Sequence, residues 1–587
     1  MIANTQTQKL CTVLYLLCAF LFSTGVYAQL TSRITLENQV AAASTIVEGK
    51  ILHSESFWDA NQDNIYTLHT VEVIKKFKGL VPSTIQVVTA GGTVGLNSEE
   101  VFPALHLSKQ DVGMFMLQPS QVTFSIDFGF PIYEVYSDLQ GFYQYNSYLD
   151  AAANSNTQVK GIATLYANIM QLTGVKYNVV TAGKAGATDA TAAPQGPLAI
   201  TQLQPLNVTA GTATVITING TGFGNTQGFV KFKDSNTGGL TTYTALDSQI
   251  LSWSNTEIKV EVPAFAGSGL VQIQTSSGSS MNSLDALDIV YAETNVISDA
   301  VNPGDLVSYP NQHISVDNGG YLFQLNSSFA SNSEAFNSFK DALEAWTCGT
   351  QMNWKLGVTT NLNTTATDGI SLVRFDNGNE LPVGILGRCT VRSSGCFSGS
   401  GIDWYVTEMD LRFDDATNWN FSQNNPSLSE FDFESIALHE LGHGRLLNHV
   451  IDTQEVMHYA ITQGEVNRTL SVYDIDGGVD IHLRSTLGGY CSQEAMMDKA
   501  CINNVTSVNN SQVFIYPNPA NDVLYIDFEE GNIFKQINLY DASGRRVYNQ
   551  FTNAVQNKID VSLLSTGLYV LELVGETDSL KRKLLIE

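Results

Sequence analysis

The sequence predicts a multidomain protein in which β-rich domains surround one domain of mixed α and β structure. Its 587 residues allow roughly three to five domains of ~100–200 residues each. Runs that alternate apolar and polar residues, as strands do, recur before residue 293 and after residue 511. Between these regions, "SNSEAFNSFKDALEAW" repeats apolar residues at helical spacing, which indicates an amphipathic helix that begins at a serine cap.

The first 28 residues have the three parts of a secretory signal. Lys9 precedes the apolar run from Leu10 to Phe22, and Ala28 ends a "VYA" cleavage motif. The alternative is a membrane anchor, but this run is too short to span ~30 Å of hydrocarbon comfortably. No later stretch is long and apolar enough to cross a bilayer. We therefore expect a signal peptide at 1–28 and a mature chain, without a transmembrane span, that is secreted or held at the outer cell surface.

The charge balance argues against nucleic acid as a partner. Lys and Arg number 30 against 57 Asp and Glu, which gives a formal net charge of −27. An acidic surface of this size repels phosphate backbones.

Five cysteines remain after the signal peptide, and all lie in the last half of the chain: Cys348, Cys389, Cys396, Cys491 and Cys501. Export to an oxidising compartment predicts disulfide bonds among them. The close pairs Cys389/Cys396 and Cys491/Cys501 are the plausible loops, although connectivity does not follow from sequence. The odd count leaves one thiol free or differently paired.

Residues 29–181 form the first predicted domain, which is β-rich. Runs such as "LHTVEVIKKF" and "STIQVVTA" alternate at strand period, and "GIATLYANIMQLTG" indicates one helix. Its role stays open between a propeptide-like inhibitor, a binding module and a spacer. Residues 182–197 are small and polar and contain Pro and Gly, which is typical of a linker.

Residues 198–292 are predicted to form an all-β domain. The "NGTGFG" turn, the segment "LSWSNTEIKVEVP" and the pair Gly267 and Gly269 resemble the IPT/TIG family of immunoglobulin-like domains. The resemblance implies an Ig-like β-sandwich that spaces or binds, without catalytic residues of its own.

Residues 511–587 are again β-rich. The "PNP" start, the "DASGRRV" turn and the "LSTGLYVLEL" strand resemble, in the same order, the type A C-terminal sorting domain of type IX secretion. The resemblance implies a C-terminal β-sandwich that engages the type IX secretion machinery. The alternative is one more small β-sandwich.

The segment "ALHELGHGRLLNHV" carries the chemistry that the sequence predicts most sharply. Residues four apart share one helix face, so His439 and His443 can direct two imidazoles at one point. Zinc accepts neutral imidazole nitrogens, and Glu440 is placed to take a proton from water and return it to a leaving amine. A break in the helix near residues 446–448 would bring His449 round as a third ligand.

This pattern resembles the metzincin zinc signature, and Leu446 stands where that signature has a glycine. A left-handed leucine costs ~1–2 kcal/mol, so the expected geometry of His449 depends on this turn. The resemblance implies that Met457 forms the methionine turn beneath the metal. It also implies that Tyr459 can approach the metal or the developing oxyanion.

Two further segments resemble the matrixin branch of this family. "EMDLRFDDATNWNF" is similar to the edge strand above the cleft, where an extended substrate could pair. "RTLSVYDIDGGVDI" is similar to the segment that leads into the last helix, with Asp474 and Asp476 as polar groups of its start. Residues 293–505 are thus predicted to be an α+β matrixin-like metzincin domain. Such relatives also bind structural calcium and a second zinc, for which the sequence assigns no ligands.

The expected function is that of a secreted zinc endopeptidase acting on extracellular proteins or peptides. His439, His443 and His449 would bind zinc, Glu440 would be the general base and Tyr459 would assist. The alternative is a surface adhesin whose metalloprotease-like domain is silent. Latency through a cysteine would need a cysteine before Cys348, and the mature chain has none, so we expect any latency to use another device.

Overall fold

The computed structural model describes residues 33–181, residues 197–499 apart from 379, 400 and 489, and the strands with several turns between 513 and 586. The predicted signal peptide, the predicted linker at 182–197 except its last residue, and Cys501 lie outside these described residues. The chain divides after Cys501 into two compact units. No helix among the described residues is long and apolar enough to cross a membrane.

The N-terminal domain is a β-barrel with two helices, in agreement with the β-rich prediction. Its helices are α1 (Leu36–Ala42) and α2 (Ile162–Thr173), and its strands are β1 (Thr45–Trp58), β2 (Ile65–Lys78), β3 (Thr84–Ala90), β4 (Gly92–Val94), β5 (Asn97–Phe102), β6 (Val112–Pro119), β7 (Ile132–Val135), β8 (Phe142–Asn146), β9 (Ala151–Ala153), β10 (Gln158–Lys160) and β11 (Asn178–Val179). Strands β1, β2, β3, β7 and β6 pair in that order, and a β1–β6 pairing closes the ring. The β4–β5 hairpin takes no part in this barrel.

The second domain is a sandwich of two sheets. Its strands are β12 (Ala199–Gln204), β13 (Asn207–Ala210), β14 (Val215–Thr221), β15 (Phe229–Asp234), β16 (Thr242–Thr244), β17 (Ile250–Trp253), β18 (Glu257–Glu261), β19 (Ala266–Gln274) and β20 (Ser280–Ala292). One sheet has the order β12-β14-β18-β17 and the other β13-β20-β19-β15-β16. Alternating residues of both sheets, such as Ile218 of β14 and Ile273 of β19, are fully buried between them.

The third domain combines a mixed sheet with helices. Its strands are β21 (Asn295–Ser298), β22 (Val307–Gln312), β23 (Tyr321–Asn326), β24 (Trp354–Thr360), β25 (Ser371–Phe375), β26 (Gly387–Ser398), β27 (Gly401–Phe413), β28 (Trp419–Asn420) and β29 (Phe431–Asp432), and its helices are α3 (Ser327–Ser331), α4 (Ser333–Thr350), α5 (Phe433–Gly444) and α6 (Val472–Leu487). Helix α4 is capped by Asn332, whose side chain accepts the Ala335 N–H, so the predicted serine cap is wrong by one residue.

The main sheet of the third domain has the order β24-β23-β25-β27-β26, and the hairpin β5-β4 of the N-terminal domain extends it. On the side of this hairpin, the outermost strand that the third domain itself contributes is therefore β26. The predicted edge strand "EMDLRFDDATNWNF" is wrong, because β27 lies inside the sheet between β25 and β26. The near-continuous burial of its second half, Glu408–Phe413, reflects this interior position.

One hydrophobic core is shared by the second and third domains. It runs from Ile216 and Phe265 in the sandwich to Trp346 and Leu441 in the helical layer. Among the described residues of the N-terminal domain, Phe102 alone joins it, while the barrel has two clusters of its own. The sandwich is thus packed as part of the third domain, whereas the barrel has a separate interior.

The C-terminal unit contains two sheets. Its strands are β30 (Val513–Tyr516), β31 (Val523–Phe528), β32 (Phe534–Asp541), β33 (Arg546–Phe551), β34 (Gln556–Asp560), β35 (Gly567–Gly575) and β36 (Ser579–Ile586). One sheet has the order β30-β31-β34 and the other β33-β32-β35-β36, around buried residues such as Ile526 and Leu571.

The predicted disulfide loops are wrong. Cys396 pairs with Cys491, 95 residues away, rather than with Cys389. Cys389 is buried on β26 as a free thiol, and Cys348 is also disulfide-bonded. The Cys396–Cys491 bond ties the far end of β26 to the segment after α6, a contact between distant parts of the chain that spacing could not indicate.

Candidate metal centre

Helix α5 presents the first two histidines of the motif. Asp432 caps it by accepting the Ser435 N–H, and Glu434 lies in the first turn, as predicted. Arg468 forms a salt bridge with Asp432, which fixes the start of the helix. All twelve residues of α5 are buried, and the Trp346 indole donates a 2.7 Å hydrogen bond to the Leu438 carbonyl beneath them. The helix therefore holds His439 and His443 in a rigid setting.

The helix ends in a turn at Leu446, which has φ +70°. The Leu446 N–H bonds to the His443 carbonyl at 2.8 Å, and the Leu447 N–H bonds to the Gly442 carbonyl at 3.0 Å. These two bonds define a Schellman motif with leucine in the position that glycine normally takes. The reversal therefore occurs at the predicted place without the glycine.

The strain at Leu446 is offset by contacts on both sides of the turn. Its side chain is completely buried in the shared core. Its carbonyl accepts the Thr294 N–H at 2.8 Å, and the Asn448 N–H donates to the Ala292 carbonyl at 2.8 Å. The chain that leaves the sandwich thus clamps the turn before His449.

We predict that Leu446→Gly destabilises the protein by about 1–3 kcal/mol. Glycine would relieve ~1–2 kcal/mol of left-handed strain, but losing a fully buried leucine costs ~2–5 kcal/mol. Gln351→Gly is the matched control, because Gln351 also has positive φ (57°) after a helix and is exposed. Urea unfolding midpoints should fall for Leu446→Gly and stay level or rise for Gln351→Gly. A rise for both would contradict the offset by burial.

The turn brings three imidazoles together. The Nε2 atoms of His439, His443 and His449 lie 3.1, 3.1 and 3.2 Å from one another. Zn–N bonds of ~2.0–2.1 Å at tetrahedral angles separate ligand nitrogens by roughly 3.3–3.4 Å. All three side chains are buried, and they form one of two groups among the described residues that could hold a metal ion. The geometry fits three corners of a tetrahedral site.

The protons of these imidazoles lie on the opposite nitrogens. His439 Nδ1 donates to the Val456 carbonyl at 2.8 Å and His443 Nδ1 donates to the Leu447 carbonyl at 2.9 Å. Since carbonyls only accept, both Nε2 atoms carry lone pairs and cannot bond to each other. Burial lowers the pKa of His439 to about 4, which keeps the ring neutral. Nitrogen lone pairs that face one another at about 3 Å repel, and a bound cation would stabilise this arrangement.

His449 reaches its position with help from the second domain. Its Nδ1 lies 2.7 Å from Asn236 Oδ1, in the short 3-10 helix Ser235–Thr237 that follows β15. The Asn448 amide donates to the Ala264 carbonyl at 2.9 Å, also in the sandwich. Nothing in the polar turn "KDSNTGG" distinguishes Asn236 from ordinary loop residues, so the sequence could not indicate this contact.

Glu440 lies on α5 beside the start of β26. A Cβ added to Gly387 would lie 3.0 Å from its Oε1. Neither carboxylate oxygen accepts a side-chain or backbone hydrogen bond of ordinary geometry. Burial raises the pKa of Glu440 well above its usual value, and the nearby Arg388 guanidinium opposes that rise. The carboxylate is thus buried against the edge strand, where the Cys389 backbone N–H also opposes the rise in its pKa.

Met457 and Tyr459 follow in the segment predicted for the methionine turn. The Met457 side chain lies directly under Gly442 of α5, where any added Cβ would overlap its sulfur. The Tyr459 ring packs over Gly238 of the sandwich. His458 is mostly buried but does not join the three-histidine cluster among the described residues.

Asp474 supports this turn from α6. Its carboxylate accepts the N–H groups of Val456 at 2.9 Å and Met457 at 3.3 Å. It also closes a capping box with Ser471, in agreement with its predicted place at the helix start. Because the Val456 carbonyl accepts from His439, the same peptide segment links Asp474 to the first histidine.

The second group that could hold a metal contains Asp376, Asp414 and Asp415. Asp376 already accepts the Leu381 and Asp415 N–H groups at 3.2 and 3.0 Å. Asp415 is exposed and accepts the Gly378 N–H. The cluster thus works as a loop-ordering network, and the predicted calcium remains without assigned ligands.

Three family models match the chain. Residues 317–482 match Matrixin, residues 198–288 match the IPT/TIG domain, and residues 514–587 match the secretion system C-terminal sorting domain. No curated protein matches the chain. These matches confirm the composition that the sequence predicted: a matrixin-like domain that follows an IPT/TIG domain and precedes a sorting domain.

The combination defines the class of protein. A matrixin domain with a type IX sorting tail indicates a secreted metalloprotease whose substrates are proteins. The sorting domain implies export by the type IX machinery to the cell surface or beyond. Zinc is the metal on which the matrixin family generally depends.

Proposed function

We propose that the chain is a secreted zinc endopeptidase that hydrolyses peptide bonds of extracellular proteins. The observation that carries the proposal is the convergence of three unprotonated Nε2 atoms within 3.2 Å of one another. The proposed domains are 29–181, 198–292, 293–505 and 511–587, after a signal peptide at 1–28 and with a linker at 182–197.

His439, His443 and His449 would hold the zinc through Nε2, each with its Nδ1 bonded to an acceptor. Bound zinc would supply a Lewis acid that polarises the scissile carbonyl and activates a water molecule. Glu440 takes the proton of the attacking water and passes it to the leaving amine. Its buried position beside the start of β26, along which the substrate backbone would lie, supports this role.

The remaining residues shape the site. Met457 would form the floor beneath α5, a role that its position under Gly442 supports, and Tyr459 would contact the developing oxyanion, as the family resemblance implies. Structural calcium stays an expectation from the family resemblance. Substrate recognition would use the outer edge of β26, since main-chain pairing accepts many sequences.

Casein digestion with and without a chelator tests the proposal. The three histidines are buried, and Phe102 of the N-terminal domain stacks on His443. The assay therefore uses both the intact chain and a chain nicked by limited trypsin digestion, with trypsin then inhibited. Chelator-sensitive cleavage in the nicked sample, absent from Glu440→Gln treated identically, is the expected result. Zinc bound without chelator-sensitive cleavage in either sample would instead support the silent adhesin.

A further inference from the structure

The edge of the catalytic sheet is occupied by a strand of the N-terminal domain. Strand β5 pairs antiparallel with β26 over six consecutive residues, from Asn97 opposite Ser394 to Phe102 opposite Cys389. An extended substrate that added to this sheet would need the same backbone groups of β26. The two cannot pair with this edge at once.

The end of β5 also covers the metal centre. The Phe102 ring stacks on the His443 imidazole, with centroids 4.5 Å apart and planes inclined by 11°. Phe102 is 1% exposed, and Pro103, Ala104 and Leu105 continue as a buried segment. Further along, His106 packs on Phe265 of the sandwich at 4.1 Å. The chain therefore crosses the histidine cluster from the sheet edge to the second domain.

Two buried arginines of β26 anchor the inserted segment. Arg392 pairs with Glu99 of β5 at 3.3 Å. Arg388, whose charge acts on Glu440, pairs with Asp138 at 2.8 Å and donates to the Pro103 carbonyl at 3.0 Å. Arg388, the buried cation that acts on Glu440, is thus engaged by the N-terminal domain.

Strand β5 is added to a third domain whose core is almost complete without it. Phe102 alone, among the described N-terminal residues, enters the shared core, and the barrel has its own interior. The N-terminal domain could therefore withdraw without unfolding. The sandwich could not, because its core is continuous with that of the third domain.

We propose that the N-terminal domain is an intramolecular inhibitor, which keeps the enzyme latent by pairing Asn97–Phe102 with the substrate edge and placing Phe102 over the metal centre. This inference rests on the proposed function. Latency needs no thiol on the metal, and activation requires withdrawal of β5 together with the segment from Pro103 to His106 that follows it.

The test compares Phe102→Ala with Phe124→Ala in the full, zinc-loaded chain. Phe124 is the matched control, since it lies in an aromatic cluster of the same domain with Phe57 and Phe128. Three quantities are measured: hydrogen exchange of the amides of residues 389–394, the rate of zinc loss to a chelator, and cleavage of a quenched fluorescent peptide. Phe102→Ala should raise all three by about tenfold or more, because losing a buried phenylalanine weakens docking by at least that factor. Phe124→Ala should change none.

A disulfide lock supplies the reverse experiment. Ser98 and Ser393 are directly opposed across β5 and β26, and both are small and buried. Ser98→Cys/Ser393→Cys, added to Phe102→Ala, should return exchange, zinc loss and cleavage to the wild-type level when oxidised, with wild type under the same conditions as reference. Fast exchange in Phe102→Ala with unchanged zinc loss and cleavage would overturn the inference. Faster exchange and zinc loss without any cleavage would uphold the covering of the site and refute the proposed function.

A separate observation concerns the sandwich. His449 Nδ1 meets Asn236 Oδ1 at 2.7 Å, and Asn236 is itself held because Asp234 accepts its N–H at 3.0 Å. We infer that Asn236 is a positioning residue that orients the third histidine and fixes its proton on Nδ1. The IPT/TIG domain would then complete the metal centre instead of serving as a spacer.

Zinc affinity of the full chain, measured by competition with a chromophoric chelator, tests this role. Asn236→Ala should weaken binding by about 10- to 100-fold, while Asn236→Asp, which can still accept the Nδ1–H, should restore most of it. Asn255→Ala is the control, because Asn255 accepts a backbone N–H in a loop of the same domain. Thermal melting of the zinc-free variants separates folding from affinity. Equal zinc affinity for Asn236→Ala and Asn255→Ala would overturn the inference.

Discussion

Glu440→Gln is expected to lower peptide cleavage by roughly 100- to 10,000-fold while the zinc content stays at one ion per chain. Glutamine keeps the shape of the side chain but cannot take a proton from water, and general base catalysis contributes about this factor. The measurement is kcat/KM of the nicked chain together with its zinc content. Glu434→Gln on the same helix is the control, because Glu434 bonds to Gln423 and Arg468 at the helix start.

The same substitution should raise the thermal stability of the zinc-free protein. Both oxygens of the Glu440 carboxylate are buried without ordinary hydrogen-bond partners, and burying an unpaired charge is costlier than burying a neutral amide. Activity and stability should therefore move in opposite directions. A loss of both would mean that Glu440 is a structural residue.

Zinc removal should produce the second large effect. At a free zinc concentration a thousand times the dissociation constant, binding adds about 4 kcal/mol to the free energy of unfolding, and a chelator should abolish that gain. Tryptophan fluorescence can follow the transition, since Trp346 and Trp354 are buried beside the metal centre in the shared core. His443→Ala should unfold at the same denaturant concentration with and without chelator.

His69→Gln is the control for this experiment. His69 is a buried histidine of the N-terminal barrel that bonds to Ser54 and Thr89. Its variant should keep the full response to the chelator even if its own stability falls. If the wild type unfolded at the same denaturant concentration with and without the chelator, a zinc site at the three histidines would be refuted.

Local patterns predicted the metal centre well because its parts are near in sequence. Asp432, Glu434 and the spacing of His439 and His443 follow from helix rules, and the structure has the helix break where His449 needed it. At Leu446, local backbone strain alone would favour a glycine. The contacts that offset this strain come from Thr294 and the surrounding core, which are far from the motif in sequence.

The long-range contacts could not be predicted in the same way. Alternation in "NSEEVF" indicates a strand but not its partner, since strand pairing is set by tertiary packing, and β5 joins a sheet almost 300 residues away. The edge strand and the disulfide bond were misassigned for the same reason. No sequence pattern near Asn236 indicates its contact with His449, and none near Phe102 indicates its stacking on His443.

Because the second and third domains share one core, the smallest fragment that works as an enzyme is expected to contain both. A fragment cut at residue 293 would lose Asn236 and Ala264, which bond to His449 and Asn448, and would divide the apolar cluster that the two domains share. Such a fragment should aggregate and bind zinc poorly, although it contains every residue of the histidine motif. The catalytic body begins near residue 197, and two sequence families contribute to a single folding unit.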